Sequence, residues 1–269
     1  MPTASMTARD AVGAAVDALA AAGCETPRLD AEVLIADALG VDRAALVSDP
    51  ALPVPPASAR EIGERVRRRV AREPVAYILG RRGFRQIELA VDRRVLIPRP
   101  ETELLVEVAL ELPHGAAVHD VGTGSGAVAL ALLDERPDLH VTASDRSADA
   151  VDVARANAVR LGAPLAPVVA DGLPAGRYDL VVANLPYVAE AEWAGLAPEI
   201  TRYEPREALA SGADGLDAIR ALVAAAPTGT RVALEHGAEQ AAAVRALLVD
   251  GETRLDLAGR ERVTVGEVA

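Results

Sequence analysis

The chain has 269 residues, of which 51% are hydrophobic and 25% are charged, and it carries a net charge of -12. This is the composition of a globular protein, and the single cysteine excludes a disulfide framework or a multi-cysteine metal cluster. We expect a cytoplasmic protein, because no apolar run reaches the roughly 18 residues of a membrane helix and Met1–Asp10 does not resemble a secretory signal.

Residues 1–80 are predicted to form a small helical domain. Thr7 can cap a first helix that ends near Ala22, and an apolar stripe of helical period continues up to Gly40. A proline-rich turn over residues 50–56 separates these helices from a third, which starts at Ser58 and stops at Pro74.

An arginine cluster, Arg65 to Arg72, belongs to this third helix. Residues 60–99 hold 12 Arg against 5 acidic side chains, which is the basic stretch of an otherwise acidic chain. We expect Arg65, Arg67, Arg68 and Arg69 to point mostly outward, as a solvated helix face. The alternative interpretation is a docking patch for an acidic protein or for RNA.

Residues 81–98 are predicted to form a β-hairpin linker. Their apolar residues alternate loosely, with a turn near Asp92–Arg93. The alternating positions are Phe84, Ile87, Leu89, Val91, Val95 and Ile97.

Residues 99–269 predict an α/β domain. Apolar strand-like runs are found at Ala117–Val121, His140–Ser144, Ala166–Ala170, Leu180–Ala183 and Arg231–Glu235. Helical segments are predicted at Glu101–Leu112, Ala127–Glu135, Ala148–Leu161, Gly215–Ala226 and Glu239–Val249. Repeated β-α units with short apolar strands indicate a parallel sheet covered by helices on both faces. Two final strands, Thr253–Leu257 and Arg262–Val268, are predicted to form a hairpin at one sheet edge.

A glycine-rich loop, Gly122-Thr123-Gly124-Ser125-Gly126, follows the first of these strands and opens a helix. Alternating glycines let the backbone turn tightly against a ligand, and the helix N-terminus offers free N–H groups. Asp145 ends the next strand, at the position of the acidic residue that binds a ribose in nucleotide-binding folds. The pattern predicts a nucleoside-containing cofactor, with S-adenosylmethionine favoured by Asp120 and Gly126, and NAD formally possible.

The segment Asn184-Leu185-Pro186-Tyr187 follows the strand Leu180–Ala183. The side-chain oxygen of Asn184 and the backbone carbonyl of Leu185 can each accept one N–H of a substrate NH2 group. Two acceptors on one NH2 would aim its nitrogen at a methyl donor, and this positioning is the main catalytic requirement. Pro186 fixes the turn and Tyr187 supplies a planar wall.

These motifs resemble those of the protein-(glutamine-N5) methyltransferases that modify peptide chain release factors. The resemblance extends over nearly the whole chain and is most specific in the run from Ile97 to Glu103. Further matching segments are Glu73–Gly80, Asp145–Ser147, Ala154–Ala158, Pro198–Glu199, Glu204–Pro205 and Leu234–Gly237.

The resemblance implies a Rossmann-like methyltransferase domain with a mostly parallel seven-stranded sheet, after the small N-terminal helical domain. It implies S-adenosylmethionine as the methyl donor and the Gln of the release-factor Gly-Gly-Gln loop as the acceptor. The implied cofactor residues are Gly122, Thr123, Gly124, Ser125, Gly126, Asp145, Asp171, Gly172 and Asn184. The implied substrate residues are Asn184 to Tyr187, Arg99 and Glu101. The N-terminal domain is implied to help hold the release factor.

Two positions depart from the family pattern. Leu185 stands where the family has Pro, and Gly172 stands where relatives often carry an aromatic residue near the adenine. The Asn-Leu-Pro-Tyr form is that of adenine dimethyltransferases acting on ribosomal RNA, so a nucleic-acid adenine methyltransferase and a non-catalytic cofactor-binding protein remain alternatives.

The charge distribution argues against nucleic acid as a partner. Residues 1–110 hold 15 Arg and 16 acidic side chains, whereas the remainder holds 13 and 24, and aromatic residues make up only 2% of the chain. We therefore expect the chain to act on a protein without a direct nucleic-acid partner. A monomer without a membrane partner is also expected. The four His lack metal-ligand spacing, so no metal site is predicted.

Overall fold

The computed structural model describes residues 6–269 and divides into two compact units. The first unit comprises the chain up to Gly80 together with Pro198–Tyr203, and the second comprises Arg81–Ala197 and Glu204–Ala269. Residues 1–5, which begin the predicted helical domain and the segment tested for a secretory signal, lie outside the described residues. Within residues 6–269, no helix has the length and apolar character needed to cross a membrane.

The regular elements of the described residues are helices up to Leu79 and a mixture of helices and strands after it. The helices are α1 Ala8–Ala21, α2 Pro27–Leu39, α3 Arg43–Ser48, α4 Pro56–Val70, α5 Val75–Leu79, α6 Glu103–Leu110, α7 Ala127–Glu135, α8 Ala148–Leu161, α9 Pro198–Tyr203, α10 Asp217–Ala225 and α11 Ala241–Arg245. The strands are β1 Arg81–Phe84, β2 Ile87–Ala90, β3 Ala117–Val121, β4 His140–Asp145, β5 Val168–Val169, β6 Leu180–Ala183, β7 Arg231–Glu235, β8 Leu248–Leu255 and β9 Glu261–Val268. Short 3-10 helices cover Pro100–Thr102, Glu190–Gly195, Arg206–Ala208 and Ala238–Gln240.

The first unit is helical, and its first helix begins where the sequence predicts. Thr7 and Asp10 form a reciprocal capping box, in which the Thr7 hydroxyl accepts from the Asp10 N–H at 3.3 Å. Leu19, Ile35 and Ile62 are buried together in the apolar core of this unit. The helices α3 and α5 are absent from the sequence prediction, because five or six residues are too few to show a helical period.

The prediction of an outward-facing arginine cluster is wrong for Arg65, Arg69 and Arg72. The Arg69 side chain is 7% exposed and lies 2.7 Å from both Asp30 and Glu199. Arg72 also contacts Glu199, and Arg65 contacts Asp37. Helical period locates Arg65 and Arg69 on faces of α4, but it does not show that Asp37, Asp30 and Glu199 from other segments of the first unit pair with them.

The hairpin of residues 81–98 differs from its prediction in the position of the turn. Arg81–Phe84 pairs with Ile87–Ala90, so the strands are joined at Arg85 and Gln86, where Arg85 has a φ of 51°. The Arg85 guanidinium donates two hydrogen bonds of 2.7 Å to Glu135, which fixes this turn. The predicted turn at Asp92–Arg93 lies after the hairpin, and Val95 and Ile97 are buried in irregular chain instead of a strand.

The second unit contains a seven-stranded sheet in the order β5-β4-β3-β6-β7-β9-β8. Its first five strands are parallel, while β9 pairs antiparallel with both β7 and β8. The predicted Rossmann-like, mostly parallel sheet is confirmed. The chain runs outward from β3 through β4 and β5, then returns to the other side of β3 with β6, which makes the edge between β3 and β6 the switch point of the topology.

Several predicted boundaries in this unit are wrong. The segment Glu239–Val249 is a short 3-10 turn followed by α11, and β8 already begins at Leu248 because that residue pairs with Val268. The strand predicted at Ala166–Ala170 is only Val168–Val169, and the helix predicted from Glu101 begins as a 3-10 turn. The ends of the strands are set by pairing with neighbouring strands, and the apolar pattern of the sequence alone does not fix them.

Candidate functional site

A cleft of about 510 Å³ lies at the switch point, beside the carboxyl ends of β3, β4 and β6. Parallel pairing of Val121 with Ser144 and with Ala183 sets the three strand ends side by side. Cofactor sites of open α/β sheets lie at such a point, and the volume is in the range of ligand pockets. Ten predicted site residues line the cleft: Gly122, Thr123, Gly124, Ser125, Asp145, Asp171, Gly172, Asn184, Leu185 and Pro186.

The glycine loop adopts a backbone that favours glycine at two of its positions in the cleft. Gly122 and Gly124 have φ values of 73° and 55°, in the left-handed region. A Cβ on Gly122 would lie 3.0 Å from Cδ2 of Leu185, so the Leu185 side chain packs closely on the loop. The loop therefore presents backbone to the cleft, and the Leu185 side chain packs against it.

Asp145 holds the glycine loop through its carboxylate. Its Oδ2 accepts a 2.9 Å hydrogen bond from the Gly124 N–H, and its Oδ1 accepts one of 2.9 Å from the Ser147 N–H. Each carboxylate oxygen has a second lone pair. The same side chain can therefore fix the loop and accept hydrogen bonds from a ligand in the cleft.

Asp120 is a buried carboxyl in the wall of the cleft. The Thr123 hydroxyl donates to its Oδ2 at 2.6 Å, and the Ala129 N–H donates to the same oxygen at 3.3 Å. Burial raises the pKa of Asp120 to about 6, an effect that these two hydrogen bonds oppose and that the charge of Asp145 reinforces. Above that pH, the cleft carries both carboxylates.

Asn184 lies at the end of β6 with its amide oriented by a hydroxyl. Its Nδ2 donates to Oγ1 of Thr102 at 2.9 Å, and Thr102 is buried. Because Nδ2 is engaged by Thr102, Oδ1 is the end of the Asn184 amide left for a ligand. The backbone carbonyl of Leu185 follows directly in the same strand end.

Four predicted site residues do not line the cleft. Gly126 caps α7, where a Cβ would lie 2.9 Å from Leu130, so its role is to permit close packing. Tyr187 lines a neighbouring cleft, and its hydroxyl donates to Oε1 of Glu235 at 3.3 Å. Burial raises the pKa of Tyr187, so its phenol stays protonated. Glu101 lies outside the cleft lining.

Arg99, the fourth of these residues, forms an ion pair with Glu204. The second carboxylate oxygen of Glu204 accepts the Ile97 N–H at 3.1 Å. Glu204 thereby fastens the Ile97–Glu103 segment to the chain that precedes the 3-10 helix Arg206–Ala208. The geometry gives Arg99 a role in shaping this segment.

Sequence reasoning missed Thr102, Glu235 and Asn157 as residues that build the site. Thr102 lies inside the Ile97–Glu103 run, where a hydroxyl among acidic and proline residues was a usable signal. Glu235 ends β7, just as Asp145 and Asn184 end their strands, which was the stronger signal. His236, the next residue, is fully buried with its Nε2 2.8 Å from Thr264 Oγ1.

Asn157 joins the hairpin to the glycine loop. Its Oδ1 accepts the Ala90 N–H at 2.7 Å, and its Nδ2 donates to the carbonyls of Ala90 and Ser125 at 3.0 and 2.9 Å. We expect Asn157→Ala to lower the free energy of unfolding by about 2–4 kcal/mol, because three backbone groups lose their partner in a buried place. Urea unfolding measures this change.

The matched control is Arg155→Ala, two residues away on the same helix. Arg155 is exposed and pairs with Asp152. Its loss should change stability by less than about 0.5 kcal/mol, because exposed ion pairs contribute little. Equal effects of the two variants would contradict the bridging role of Asn157.

Comparison with known proteins gives two matching domain families and a consistent set of relatives. Residues 10–80 match the PrmC N-terminal domain, and residues 100–212 match the methyltransferase small domain. A release factor glutamine methyltransferase of Xylella fastidiosa is 45% identical over 92% of this chain and 96% of its own length. One of Cereibacter sphaeroides is 44% identical over 96% of this chain and 97% of its own.

Solved structures show the same fold at low sequence identity. The catalytic domain of hMettl16, solved in complex with a MAT2A 3'UTR hairpin, superposes with a TM-score of 0.51. The match has 13% identity and covers 67% of this chain and 75% of that one. Similarity at this level supports the methyltransferase fold alone.

Proposed function

The chain belongs to the release factor glutamine methyltransferase family, and from this we propose that it methylates the side-chain amide nitrogen of the Gln in the release-factor Gly-Gly-Gln loop. The observation that carries this proposal is the cleft at the switch point, which brings the glycine loop, Asp145 and Asn184 to one edge of the sheet. The glycine loop and Asp145 suit a nucleoside, and Asn184 suits an NH2 group.

The proposed cofactor is S-adenosylmethionine, which supplies a methyl group on a positively charged sulfur. Four acidic residues and two Arg line the cleft: Asp120, Asp145, Asp171, Glu207, Arg94 and Arg146. This excess of carboxylates suits the sulfonium and ammonium charges of the cofactor. Asp145 is the proposed acceptor for the ribose hydroxyls, and Gly172, with a φ of 81°, supplies no aromatic side chain for the adenine.

The proposed catalytic contribution of the protein is to orient the substrate amide. Asn184 Oδ1 and the Leu185 carbonyl accept the two N–H groups, so the nitrogen faces the methyl donor in a fixed geometry. Leu185 provides this carbonyl as well as Pro does, since the acceptor belongs to the backbone. The Leu side chain instead packs on Gly122. The substrate proton can leave after transfer, so no tuned base is required.

We propose that the N-terminal helical unit helps to hold the release factor, as the family implies. The arginines Arg65, Arg69 and Arg72 are engaged in ion pairs within that unit. Arg68 is likewise paired with Glu73, so docking by the Arg65–Arg72 cluster would fall mainly to Arg67, whose side chain is 72% exposed.

The decisive experiment is mass spectrometry of the Gly-Gly-Gln peptide after incubation of the protein with a release factor and S-adenosylmethionine. We expect a gain of one methyl group on that Gln, and none on a release factor with Gln replaced by Ala. A parallel incubation with labelled cofactor and ribosomal RNA tests the adenine alternative raised by Leu185. Label in RNA alone would overturn the proposal, and binding of cofactor without transfer would favour a non-catalytic role.

We expect Asp145→Ala to weaken S-adenosylmethionine binding by about 10- to 100-fold, because hydrogen bonds to the ribose and to the Gly124 N–H are lost together. Isothermal titration calorimetry with the cofactor measures this change. Asp149→Ala is the matched control, because Asp149 is exposed on α8 and its replacement removes the same charge four residues away. Similar weakening by both variants would indicate a general charge effect in place of a specific contact.

A further inference from the structure

Gln240 joins the end of the Asn184–Tyr187 segment to two other loops that line the neighbouring cleft. Its Nε2 donates to the Tyr187 carbonyl at 2.9 Å and to the Asp214 carbonyl at 3.0 Å. Its Oε1 accepts the Gly237 N–H at 2.8 Å. One side chain thus ties together the segment after β6, the loop before α10 and the loop after β7.

These three hydrogen bonds fix which way round the Gln240 amide lies. A side-chain amide carries two hydrogens on its nitrogen, and its oxygen can only accept. In Gln240 both hydrogens are taken by carbonyl oxygens, and the oxygen faces an N–H. Rotating the amide by half a turn would set its oxygen against the two carbonyls and its NH2 against the N–H. Only the observed orientation makes all three hydrogen bonds.

Two glycines let the backbone approach the Gln240 amide closely. Gly215 is buried with a φ of 80°, and a Cβ there would lie 2.1 Å from the Tyr187 oxygen and 2.6 Å from Gln240 Nε2. A Cβ on Gly237 would lie 2.9 Å from Gln240 Oε1. The three loops are therefore packed around this amide without room for a larger residue at either glycine.

The Tyr187 carbonyl belongs to the segment that presents the two proposed acceptors. This segment is irregular chain that leaves the sheet after β6 and forms its next backbone pairing at Val188. The directions of its peptide groups therefore depend on partners outside the segment. Pro186 has a fixed φ and restricts the backbone of Leu185 before it. A displacement of Tyr187 is consequently passed to the Leu185 carbonyl, and the bond from Gln240 opposes it.

We propose that Gln240 is a positioning residue, which holds the Asn184–Tyr187 segment in the shape that presents the Asn184 oxygen and the Leu185 carbonyl to a substrate. The inference rests on the proposed function, because those two acceptors are proposed to bind the substrate NH2. Gln240 lines the neighbouring cleft instead of the cleft at the switch point, so it acts through the segment. Its loss should slow methyl transfer without weakening cofactor binding.

The first test reads the hydrogen bonds of Gln240 directly and needs no substrate. The chain contains two Gln, at positions 86 and 240, and two Asn, at positions 157 and 184. Labelling both residue types with 15N in the side chain gives four NH2 signals, which single substitutions assign. We expect the Gln240 hydrogens to exchange with water about tenfold more slowly than those of the exposed Gln86. Equal exchange rates at the two positions overturn the proposal.

The Asn184 signal then shows whether the segment depends on Gln240. Gln240→Met keeps the length of the side chain and removes its hydrogen bonds. We expect this variant to speed exchange of the Asn184 NH2, which donates to Thr102, and to leave the Asn157 NH2 unchanged. A general loosening of the fold would speed both. Gln86→Met is the matched control and should change neither signal, and a parental Asn184 signal in Gln240→Met overturns the proposal.

The second test measures methyl transfer to a release factor at a temperature where every variant is fully folded. We expect kcat to fall about tenfold in Gln240→Met and about 100-fold in Gln240→Glu, because a carboxylate donates no hydrogen and repels both carbonyl oxygens. Cofactor affinity, measured by calorimetry, should be unchanged. Gln86→Glu makes the same replacement at an exposed position and should behave as the parent. A residue that only stabilises the fold would leave kcat unchanged under these conditions.

The outcomes separate this inference from the proposed function. A parental kcat in both Gln240 variants overturns the positioning role and leaves the proposed function intact. Faster Asn184 exchange in Gln240→Met, in a protein that transfers no methyl group to a release factor, overturns the proposed substrate and supports the positioning role.

Discussion

Replacing Asn184 by Ala is expected to lower kcat for methyl transfer by about 100- to 1,000-fold, the usual cost of removing a preorganised hydrogen-bonding group from an active site. The amide nitrogen of a Gln side chain is a weak nucleophile, so its alignment with the methyl donor carries much of the rate. Alanine at position 184 removes the Oδ1 acceptor and leaves only the Leu185 carbonyl. A single acceptor lets the substrate NH2 rotate.

The fold should tolerate this substitution. Asn184 is only partly buried and makes one side-chain hydrogen bond, to Thr102. We expect stability to fall by about 1 kcal/mol, and cofactor affinity to change little, as measured by calorimetry. Asn184→Gln is the matched comparison, because it keeps the amide but moves it by one methylene. It should lose nearly as much activity. A variant within tenfold of the parent would contradict the proposal that Asn184 holds the substrate NH2 in place.

Replacing Arg69 by Ala is expected to lower the free energy of unfolding by about 3–5 kcal/mol. The Arg69 guanidinium donates to Asp30 through Nε and to Glu199 through Nη1, each at 2.7 Å. Asp30 and Arg69 are both buried, and Glu199 lies 130 residues further along the chain. Removing the cation leaves the buried Asp30 without its ion pair, whereas Glu199 keeps its ion pair with Arg72. The unpaired buried carboxylate costs more than the ion pair itself contributes.

Two comparisons test this explanation by urea unfolding. Arg67→Ala removes an equally basic residue from the same helix, but its side chain is 72% exposed and pairs only locally with Glu64. Its effect should stay below about 0.5 kcal/mol. The double variant Arg69→Met with Asp30→Leu should recover part of the loss, because it removes a buried charge with its partner. Equal destabilisation by Arg67→Ala and Arg69→Ala would contradict a buried network.

The same network predicts sensitivity to acid. Although burial acts to raise the pKa of Glu199, hydrogen bonds from Arg72 and Arg69 outweigh it and lower that pKa to about 2 from an ordinary 4.5. Glu199 therefore stabilises the fold fully above about pH 4.5, and this contribution is lost as the pH falls toward 2. In Arg69→Ala, less of this pH dependence should remain.

Local pattern predicted the central elements of the sheet well. The strands Ala117–Val121, Leu180–Ala183 and Arg231–Glu235 and the helices Ala127–Glu135 and Ala148–Leu161 have the predicted bounds. Each strand is a short apolar run buried on both faces, and each helix is flanked by a glycine or a capping side chain. Such signals lie within a few residues of one another, so the local sequence is enough to predict these elements.

The candidate site was predictable for a related reason. The glycine loop, Asp145 and Asn184 each follow a predicted strand, and the carboxyl ends of parallel strands meet at one edge of a sheet. The order of strands was not needed to bring them together. The hairpin turn at Arg85 and the start of β8 at Leu248 depend instead on partners elsewhere, Glu135 and Val268, and were misplaced.

By itself, the sequence determined the fold class, the family and most of the predicted residues that line the cleft, because these are written in contiguous motifs. Only the tertiary structure decided which polar residues act together. Thr102 and Asn184 are 82 residues apart, and Arg69 and Glu199 are 130 apart. A buried polar group needs a partner, but the chain pattern around it does not say which one, since the partner is chosen by packing in three dimensions.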